Sequence, residues 1–178
     1  MPHSVRKSLD RLHHPKSKIP QYDPHRWSVP AYGIIIQMAQ YTDESNILIK
    51  KATNRIQSIV GTILYYEWSV VPTILLSINK ILQVQLRPTW DTEEKARILL
   101  YYAAIYSNAI RRYKACDMFL HVDSEAAYLN MPEARSCYAG HFYLSSCPSP
   151  SPIKPNPKTN GPIHTECKTI HNIVSFAA

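Results

Sequence analysis

Glycine is scarce in this chain of 178 residues: 4 glycines stand against 14 prolines, most of which lie within residues 1–30 and 147–162. Ordered segments separated by stiff, extended stretches are typical of such a distribution. The hydrophobic content of 45% is ordinary for a globular protein. It excludes disorder throughout the chain.

The sequence also contains no Cys-x-x-Cys pair and no long apolar run, and its first residues do not show the apolar core and small-residue cleavage site that are typical of a signal peptide. Its longest apolar stretches, residues 34–36 and 70–78, are shorter than the ~18–20 residues that cross a bilayer. We therefore expect an intracellular protein of the cytoplasm or nucleus, with no membrane partner. Its cysteines are expected to be reduced thiols: Cys116, Cys137, Cys147 and Cys167.

Acidic residues are few, 13 against 20 Lys and Arg, which gives a formal net charge of +7. The net charge is +4 over residues 1–30, +3 over residues 31–113 and zero over residues 114–178. Clustered cations attract phosphates, so this distribution favours nucleic acid as a partner. Basic tails without a specific ligand are the alternative.

Composition and periodicity divide the sequence into three parts. Residues 1–30 hold five prolines and four histidines, and are predicted to form an extended, disordered basic arm because they bury too little apolar surface to offset ordering entropy. Residues 31–113 are predicted to be helical. Residues 114–178 are predicted to form strands, with a long exposed loop over residues 147–162, where six prolines prevent ladder pairing.

Apolar residues recur at helical spacing three times in residues 31–113. The first helix is predicted over residues 53–68, and Pro72 breaks it and opens a second that ends before Pro88. The third is predicted to begin at Asp91–Glu94, with a capping oxygen and first-turn acids, and to run through Tyr106.

The period changes to two after residue 117. Met118, Leu120 and Val122 alternate with Phe119, His121 and Asp123, as in a half-buried strand. Two more strands are predicted over residues 138–144 and 163–170, and residues 171–178 resemble the opening of a helix. Because residues 114–178 lack helices to cover the sheet, we expect exposed apolar strand surface and a tendency to aggregate.

Four blocks of sequence carry a resemblance. They are Arg55–Tyr66 (RIQSIVGTILYY), Arg112–Leu129 (RYKACDMFLHVDSEAAYL), Ala134–Leu144 (ARSCYAGHFYL) and Asn160–Ile170 (NGPIHTECKTI). The first resembles the segment after the polymerase palm in the Pol protein of copia-type LTR retrotransposons, and the other three resemble the first strands of its ribonuclease H domain. The resemblance covers roughly residues 20–178, in the order of the family.

After the disordered arm predicted from composition, the resemblance implies a small helical reverse transcriptase connection and an incomplete ribonuclease H-like three-stranded antiparallel sheet, which together make an α+β fold. The parent family carries out RNA-directed DNA synthesis and cleaves the RNA strand of RNA–DNA hybrids with Mg²⁺. Asp123 falls at the family's first catalytic position. The polymerase motif, an aromatic residue followed by x-Asp-Asp, does not occur, and the family's next catalytic acid would follow Ala178. We therefore expect a truncated Pol fragment without autonomous catalysis, in which Asp123 is vestigial.

The chemistry of hydrolysis with two metals supports this expectation, because several carboxylates must hold the ions. Glu125 lies on the same strand face, ~6.6 Å along the strand from Asp123. These two acids form at most a weak Mg²⁺ site, which we do not expect to be stably occupied. Without the resemblance, Asp123 would be interpreted as an ordinary acid on a solvated strand face.

Two other sets of residues could bind ligands. Arg111, Arg112 and Lys114 are candidate phosphate contacts for an RNA–DNA hybrid, or cations that balance a helix C-terminus. Cys137 with His141, and Cys167 with His171, offer zinc ligand types, but at strand spacing each pair lies ~13 Å apart. The alternative function is thus a basic nucleic-acid-binding module without chemistry.

Overall fold

The computed structural model describes residues 2–14, 20–26, 43–131, 135–147 and 159–170. It has an α+β fold that divides into two compact units, the helical unit Met1–Ile110 and the sheet unit Arg111–Ala178. The division falls three residues before the one drawn from sequence, at 113/114. Across the described ranges, no helix is long and apolar enough to span a membrane.

The core of the helical unit forms around α2, Lys50–Ser69, which covers the helix predicted over residues 53–68. Ile56, Ile59 and Ile63 are each 1% exposed, because their i, i+3, i+7 spacing places them on one stripe. After Val71 a 3₁₀ turn, Pro72–Ile74, leads into α3, Leu75–Val84. The predicted helix opening at Pro72 is therefore confirmed as this continuous 3₁₀ and α segment.

The last helix of this unit, α4, spans Trp90–Ile105 and begins one residue before the predicted start. Its N-cap is Thr89, whose hydroxyl accepts from the Thr92 backbone N–H while the Thr92 hydroxyl accepts from the Thr89 N–H. The prediction that capping begins at Asp91 is therefore wrong: Asp91 supplies first-turn charge instead. The Thr89 hydroxyl also donates to Asp43, which ties the preceding segment to the cap.

The extended arm predicted over residues 1–30 is wrong for its first part, because α1 spans Pro2–Arg11. Val5, Leu9 and Leu12 are buried in the core cluster that contains the α2, α3 and α4 residues. Their i, i+4, i+7 spacing is helical, and burial against the rest of the unit outweighs the polar composition of the segment. Residues 15–19 and 27–30 of the predicted arm lie outside the described residues.

His14 follows α1 and lies against α4. Its ring centroid is 4.5 Å from that of Tyr101, and neither buried ring nitrogen has a hydrogen-bond partner. Burial, and then the positive charges of Arg55 and Arg97, lower the pKa of His14 to about 4. The end of the α1 segment is thus held by a neutral imidazole.

The sheet unit contains three antiparallel strands in the order β1-β2-β3: Phe119–Met131, Arg135–Ser145 and Pro162–Thr169. The three predicted strands are confirmed with small differences in their bounds: Met118, with a φ of 64°, and Ile170 lie just outside β1 and β3, and β1 extends well beyond residue 123. Residues 148–158 of the predicted loop, and the predicted helix opening at 171–178, lie outside the described residues.

Burial in the sheet unit differs from the sequence prediction on β1. Leu120 is 58% exposed and Val122 is 49% exposed, while Phe119 on the other face is 49% exposed. The prediction of a half-buried strand is therefore wrong for β1, because alternation places apolar residues on one face without supplying a layer to cover it. The expected exposed apolar strand surface is confirmed.

Candidate functional site

Asp123 lies in the middle of β1, directly opposite His141 of β2, and Glu125 lies opposite Ala139. Successive odd-numbered residues of a strand share one face. We call this the Asp123 face. Its members are Phe119, His121, Asp123 and Glu125 of β1, Cys137, Ala139, His141, Tyr143 and Ser145 of β2, and Thr165, Cys167 and Thr169 of β3.

Tyr143 interacts with Asp123. It is 5% exposed, and burial followed by the charge of Asp123, together with a hydrogen bond between the two side chains, raises the pKa of Tyr143. The Tyr143 hydroxyl therefore stays protonated and donates a hydrogen bond to the Asp123 carboxylate. This uses part of the acceptor capacity of Asp123.

Two histidine rings flank Tyr143 on the same face. The His121 ring stacks at 5.4 Å and 21°, and the His141 ring lies at 5.3 Å and 50°. His121 also donates from Nε2 to the Ser146 carbonyl oxygen over 3.2 Å. Asp123 is exposed and shares its face with these aromatic and imidazole groups, and Glu125 is the nearest acid along its strand.

These residues do not fit the two Mg²⁺ ions that the resemblance implies. Among the residues that the structure describes, no group of three or more His, Cys, Asp or Glu side chains could hold a metal ion. Asp123 and Glu125 remain two residues apart on an extended strand, ~6.6 Å along its axis, and their cross-strand neighbours are His141 and Ala139. A pair of acids spaced in this way is too sparse to hold Mg²⁺ firmly.

The structure does not bring the candidate zinc ligands closer together than the sequence predicted. Cys137 and His141 occupy one face of β2 four residues apart, ~13 Å along the strand. Cys167 lies opposite Ala139, between them on the neighbouring strand, and His171 lies outside the described residues. Tetrahedral zinc needs its ligands within ~2.3 Å of one point.

The basic residues lie in the segment 111–116, which is fixed to the end of the sheet by Asn160. The Asn160 side chain accepts from the Lys114 N–H at 2.8 Å and donates to the carbonyl oxygens of Lys114 and Leu144, each at 2.9 Å. This single amide therefore satisfies both backbone groups of Lys114, as a neighbouring strand would.

Gly161 allows this close approach. A Cβ atom at Gly161 would lie 2.5 Å from the Arg112 carbonyl oxygen and 3.0 Å from the Tyr113 ring. The Tyr113 hydroxyl donates to the Pro162 carbonyl oxygen at 3.0 Å, and Arg111 Nη1 donates to the same oxygen at 3.2 Å. We call these contacts of Asn160, Gly161 and Pro162 with residues 111–114 the Asn160 clamp.

The three predicted phosphate contacts differ in their surroundings. Arg111 is half-buried and bound to the clamp, so its position is structural. Arg112 and Lys114 are exposed. The interpretation that these cations balance a helix C-terminus is wrong, because α4 ends at Ile105 and the helix dipole acts within the last turn.

The clamp lies at the end of the sheet where β1 begins. Leu144, which accepts from Asn160, pairs with Leu120 of β1. Leu120 precedes Asp123 by three residues, about 10 Å along the strand. The exposed cations therefore lie at the end of the sheet where β1 begins, whereas Asp123 lies further along β1, in its middle.

Sequence reasoning missed Tyr143, His121 and Asn160 as parts of this site. Given antiparallel pairing of β1 with β2, the parity rule would have placed His121 and Tyr143 on the face of Asp123. Asn160 directly before a Gly-Pro pair is a turn signal, but its contact with Lys114 joins residues 46 positions apart. That contact has no local signature.

Comparisons of the chain with protein-family models, with curated proteins and with solved structures found nothing that matches it.

Proposed function

We propose that this chain is a segment of a copia-type retrotransposon Pol protein that binds an RNA–DNA hybrid and does not cleave it. The observation that carries the binding proposal is the Asn160 clamp, which presents Arg112 and Lys114 to solvent on a fixed backbone. The sequence resemblance supports the ancestry. So does the antiparallel order β1-β2-β3, with Asp123 in the first strand.

Fixed cations favour phosphate binding for a physical reason. Lys and Arg that contact phosphates release condensed counterions, and this supplies most of the affinity for nucleic acid without sequence preference. A backbone held by the Asn160 clamp loses less conformational freedom on binding than a mobile tail does. The preference for a hybrid over other duplexes rests on the resemblance alone.

The non-catalytic part of the proposal rests on the neighbours of Asp123. Its carboxylate accepts a hydrogen bond from the Tyr143 hydroxyl. The nearest described acid along its strand is Glu125, two positions further on. Hydrolysis with two metal ions requires more carboxylates around one point than these two. Asp123 therefore keeps a position in the sheet and has no catalytic role in this proposal.

Binding is tested by fluorescence anisotropy with a labelled RNA–DNA hybrid, over a series of salt concentrations. The double variant Arg112→Ala/Lys114→Ala is expected to weaken binding and to reduce the slope of log affinity against log salt by about 2. The matched control is Lys51→Ala/Arg87→Ala, which removes the same charge from exposed positions of the helical unit. An equal loss in both variants would show that only net charge matters.

Two further outcomes would contradict the proposal. The absence of measurable affinity at low salt would exclude binding. Cleavage of the RNA strand with Mg²⁺, lost in Asp123→Asn, would exclude the non-catalytic role. The ancestry is tested separately by sequencing the genomic locus, where coding sequence for a polymerase palm is expected upstream.

A further inference from the structure

Strand β1 is a long edge strand that is exposed on both faces. It pairs with β2 along one edge, and in the described part of the sheet no strand pairs with its other edge. The side chains of Phe119, Leu120 and Val122 are each about half exposed or more. An exposed apolar edge of this kind presents a row of backbone donors and acceptors that fit another strand.

The opposite edge of the sheet is better protected. Strand β3 begins at Pro162, which has no backbone N–H to offer. Its Lys168 and Glu166 side chains form an ion pair at 2.8 Å. Proline and charged residues usually protect an edge strand from pairing with another chain. Strand β1 is therefore the edge that is better suited to pair with a further strand.

Symmetry limits how β1 can pair with β1 of a second copy. Residues directly opposite each other in an antiparallel pair have their side chains on the same face of the sheet. In two identical strands, such residues must therefore be an even number of positions apart in sequence. The two-fold axis then lies at one residue, which faces its own copy, and cannot lie midway between two successive residues. Within the regular part of β1, Phe119–Ala127, an axis at Ser124 places Asp123 against Glu125 of the other copy twice. An axis at Asp123 places this aspartate against itself.

An axis at Val122 is a register that places an imidazole ring, and not an acid, opposite each Asp123. It places His121 opposite Asp123 of the second copy, twice, and Leu120 opposite Ser124. Val122 then meets its own copy at the axis, and no two acids are opposed. Like charges directly across a strand pair are unfavourable, so this register avoids the repulsion that an axis at Ser124 or Asp123 would bring.

We propose that two copies of this chain pair through their β1 edges, antiparallel and centred on Val122, to form a continuous six-stranded sheet. The proposal is independent of nucleic-acid binding. A second copy fits this edge because residues 119–125 contain both members of each pair of His121 with Asp123. Isologous pairing also closes after two copies, since it uses up both β1 edges.

The test measures the molar mass of the full chain by light scattering over a dilution series. The dimer is expected for the unmodified chain. His121→Asp places an acid opposite Asp123 of the other copy on both sides of the axis. It is expected to raise the dissociation constant of the dimer about tenfold. Adding the reverse change, in His121→Asp/Asp123→His, restores the pairs of histidine with aspartate and is expected to restore the dimer.

The matched control is His164→Asp, which makes the same change at an exposed position of β3 and is expected to leave the dimer intact. Val122→Lys serves as a second variant, because it places two lysines at the axis on an exposed face. It is expected to give a monomer with an unchanged circular dichroism spectrum.

Three results would overturn the proposal. A monomer at all concentrations would exclude the pairing, and slow amide exchange along β1 in that monomer would show that another part of the chain covers this edge. Open-ended aggregates instead of a dimer would mean heterologous pairing. An effect of His164→Asp equal to that of His121→Asp, or no recovery in the charge-swapped double variant, would exclude the Val122 register.

Discussion

The helical unit and the sheet unit use apolar residues in different ways. In the helical unit, Ile74, Leu99 and Leu100 are fully buried because several amphipathic stripes face one another. In the sheet unit, the described buried hydrophobic residues are Cys137 and Tyr143, while Leu120 and Val122 are exposed. An amphipathic pattern thus yields a core only where a second apolar layer is present to receive it.

The largest expected effect comes from truncating one leucine in each unit. Leu99→Ala is expected to destabilise the helical unit by about 2–5 kcal/mol, because it removes a fully buried side chain and leaves a cavity. Leu120→Ala in the sheet unit is expected to change stability by about 0.5 kcal/mol or less. Urea denaturation followed by circular dichroism measures both. A similar cost for the two would mean that Leu120 is buried in solution.

A pair of glycine substitutions gives the next largest effect. Gly161→Ala is expected to destabilise the Asn160 clamp by about 2 kcal/mol, because the new Cβ would meet the Arg112 carbonyl oxygen. Gly61→Ala, on an exposed turn of α2 with nothing within 4 Å of the new Cβ, is expected to stabilise by about 0.5–1 kcal/mol.

The effect of Gly161→Ala on the Asn160 clamp is measured by hydrogen exchange at the Lys114 amide. The effect of Gly61→Ala on the stability of α2 is measured by the thermal midpoint of unfolding. If Gly161→Ala leaves the Lys114 amide protected, residues 111–114 are held by contacts other than Asn160 and Gly161.

Acidification is expected to loosen the helical unit through His14. The pKa of His14 is about 4 in the folded chain and 6.5 ordinarily, so the unfolded state binds the proton more readily. The stabilisation is fully present above pH 6.5 and is lost as pH falls from 6.5 towards 4. If the whole pKa shift contributed to stability, the free energy of unfolding would fall by about 3 kcal/mol over this range. Because the ring is only half-buried and solvent screens its charge, the expected loss is about 1–2 kcal/mol.

The measurement is the denaturation free energy at several pH values between 7 and 4, in parallel with His14→Phe. Phe keeps the ring against Tyr101 but cannot titrate, so the pH dependence assigned to His14 is expected to disappear. His13→Ala, at the exposed neighbouring position, is the control. A profile unchanged by His14→Phe would contradict the assignment.

The smallest expected effect concerns helix capping within the helical unit. Helix α4 has a reciprocal cap at Thr89, whereas Ile49 at the N-cap of α2 makes no side-chain hydrogen bond. Ile49 is also 74% exposed. Ile49→Ser is therefore expected to stabilise α2 by about 0.5–1 kcal/mol, seen as a higher thermal midpoint. Thr89→Ala is expected to cost about the same, and the opposite sign for either variant would contradict this account.

Much of the fold could be predicted from local patterns. Helical periodicity identifies α2 through the stripe of Ile56, Ile59 and Ile63. Pro72 marks the break before α3, because a proline lacks the N–H that would continue a helix. Both signals lie within a few residues of the element that they identify. Alternation from residue 118 identifies β1. The helix at residues 2–11 could not be predicted from composition, since its stability depends on burial of Val5, Leu9 and Leu12 against residues distant in sequence.

The candidate site divides in the same way. The sequence by itself determined that Asp123 and Glu125 share a strand face, and that Arg112 and Lys114 precede that strand, because both follow from spacing along an extended chain. Only the tertiary structure decided that Tyr143 engages Asp123 and that Asn160 fixes Lys114. Those contacts depend on strand register and on side chains brought together from distant positions, which no local pattern specifies.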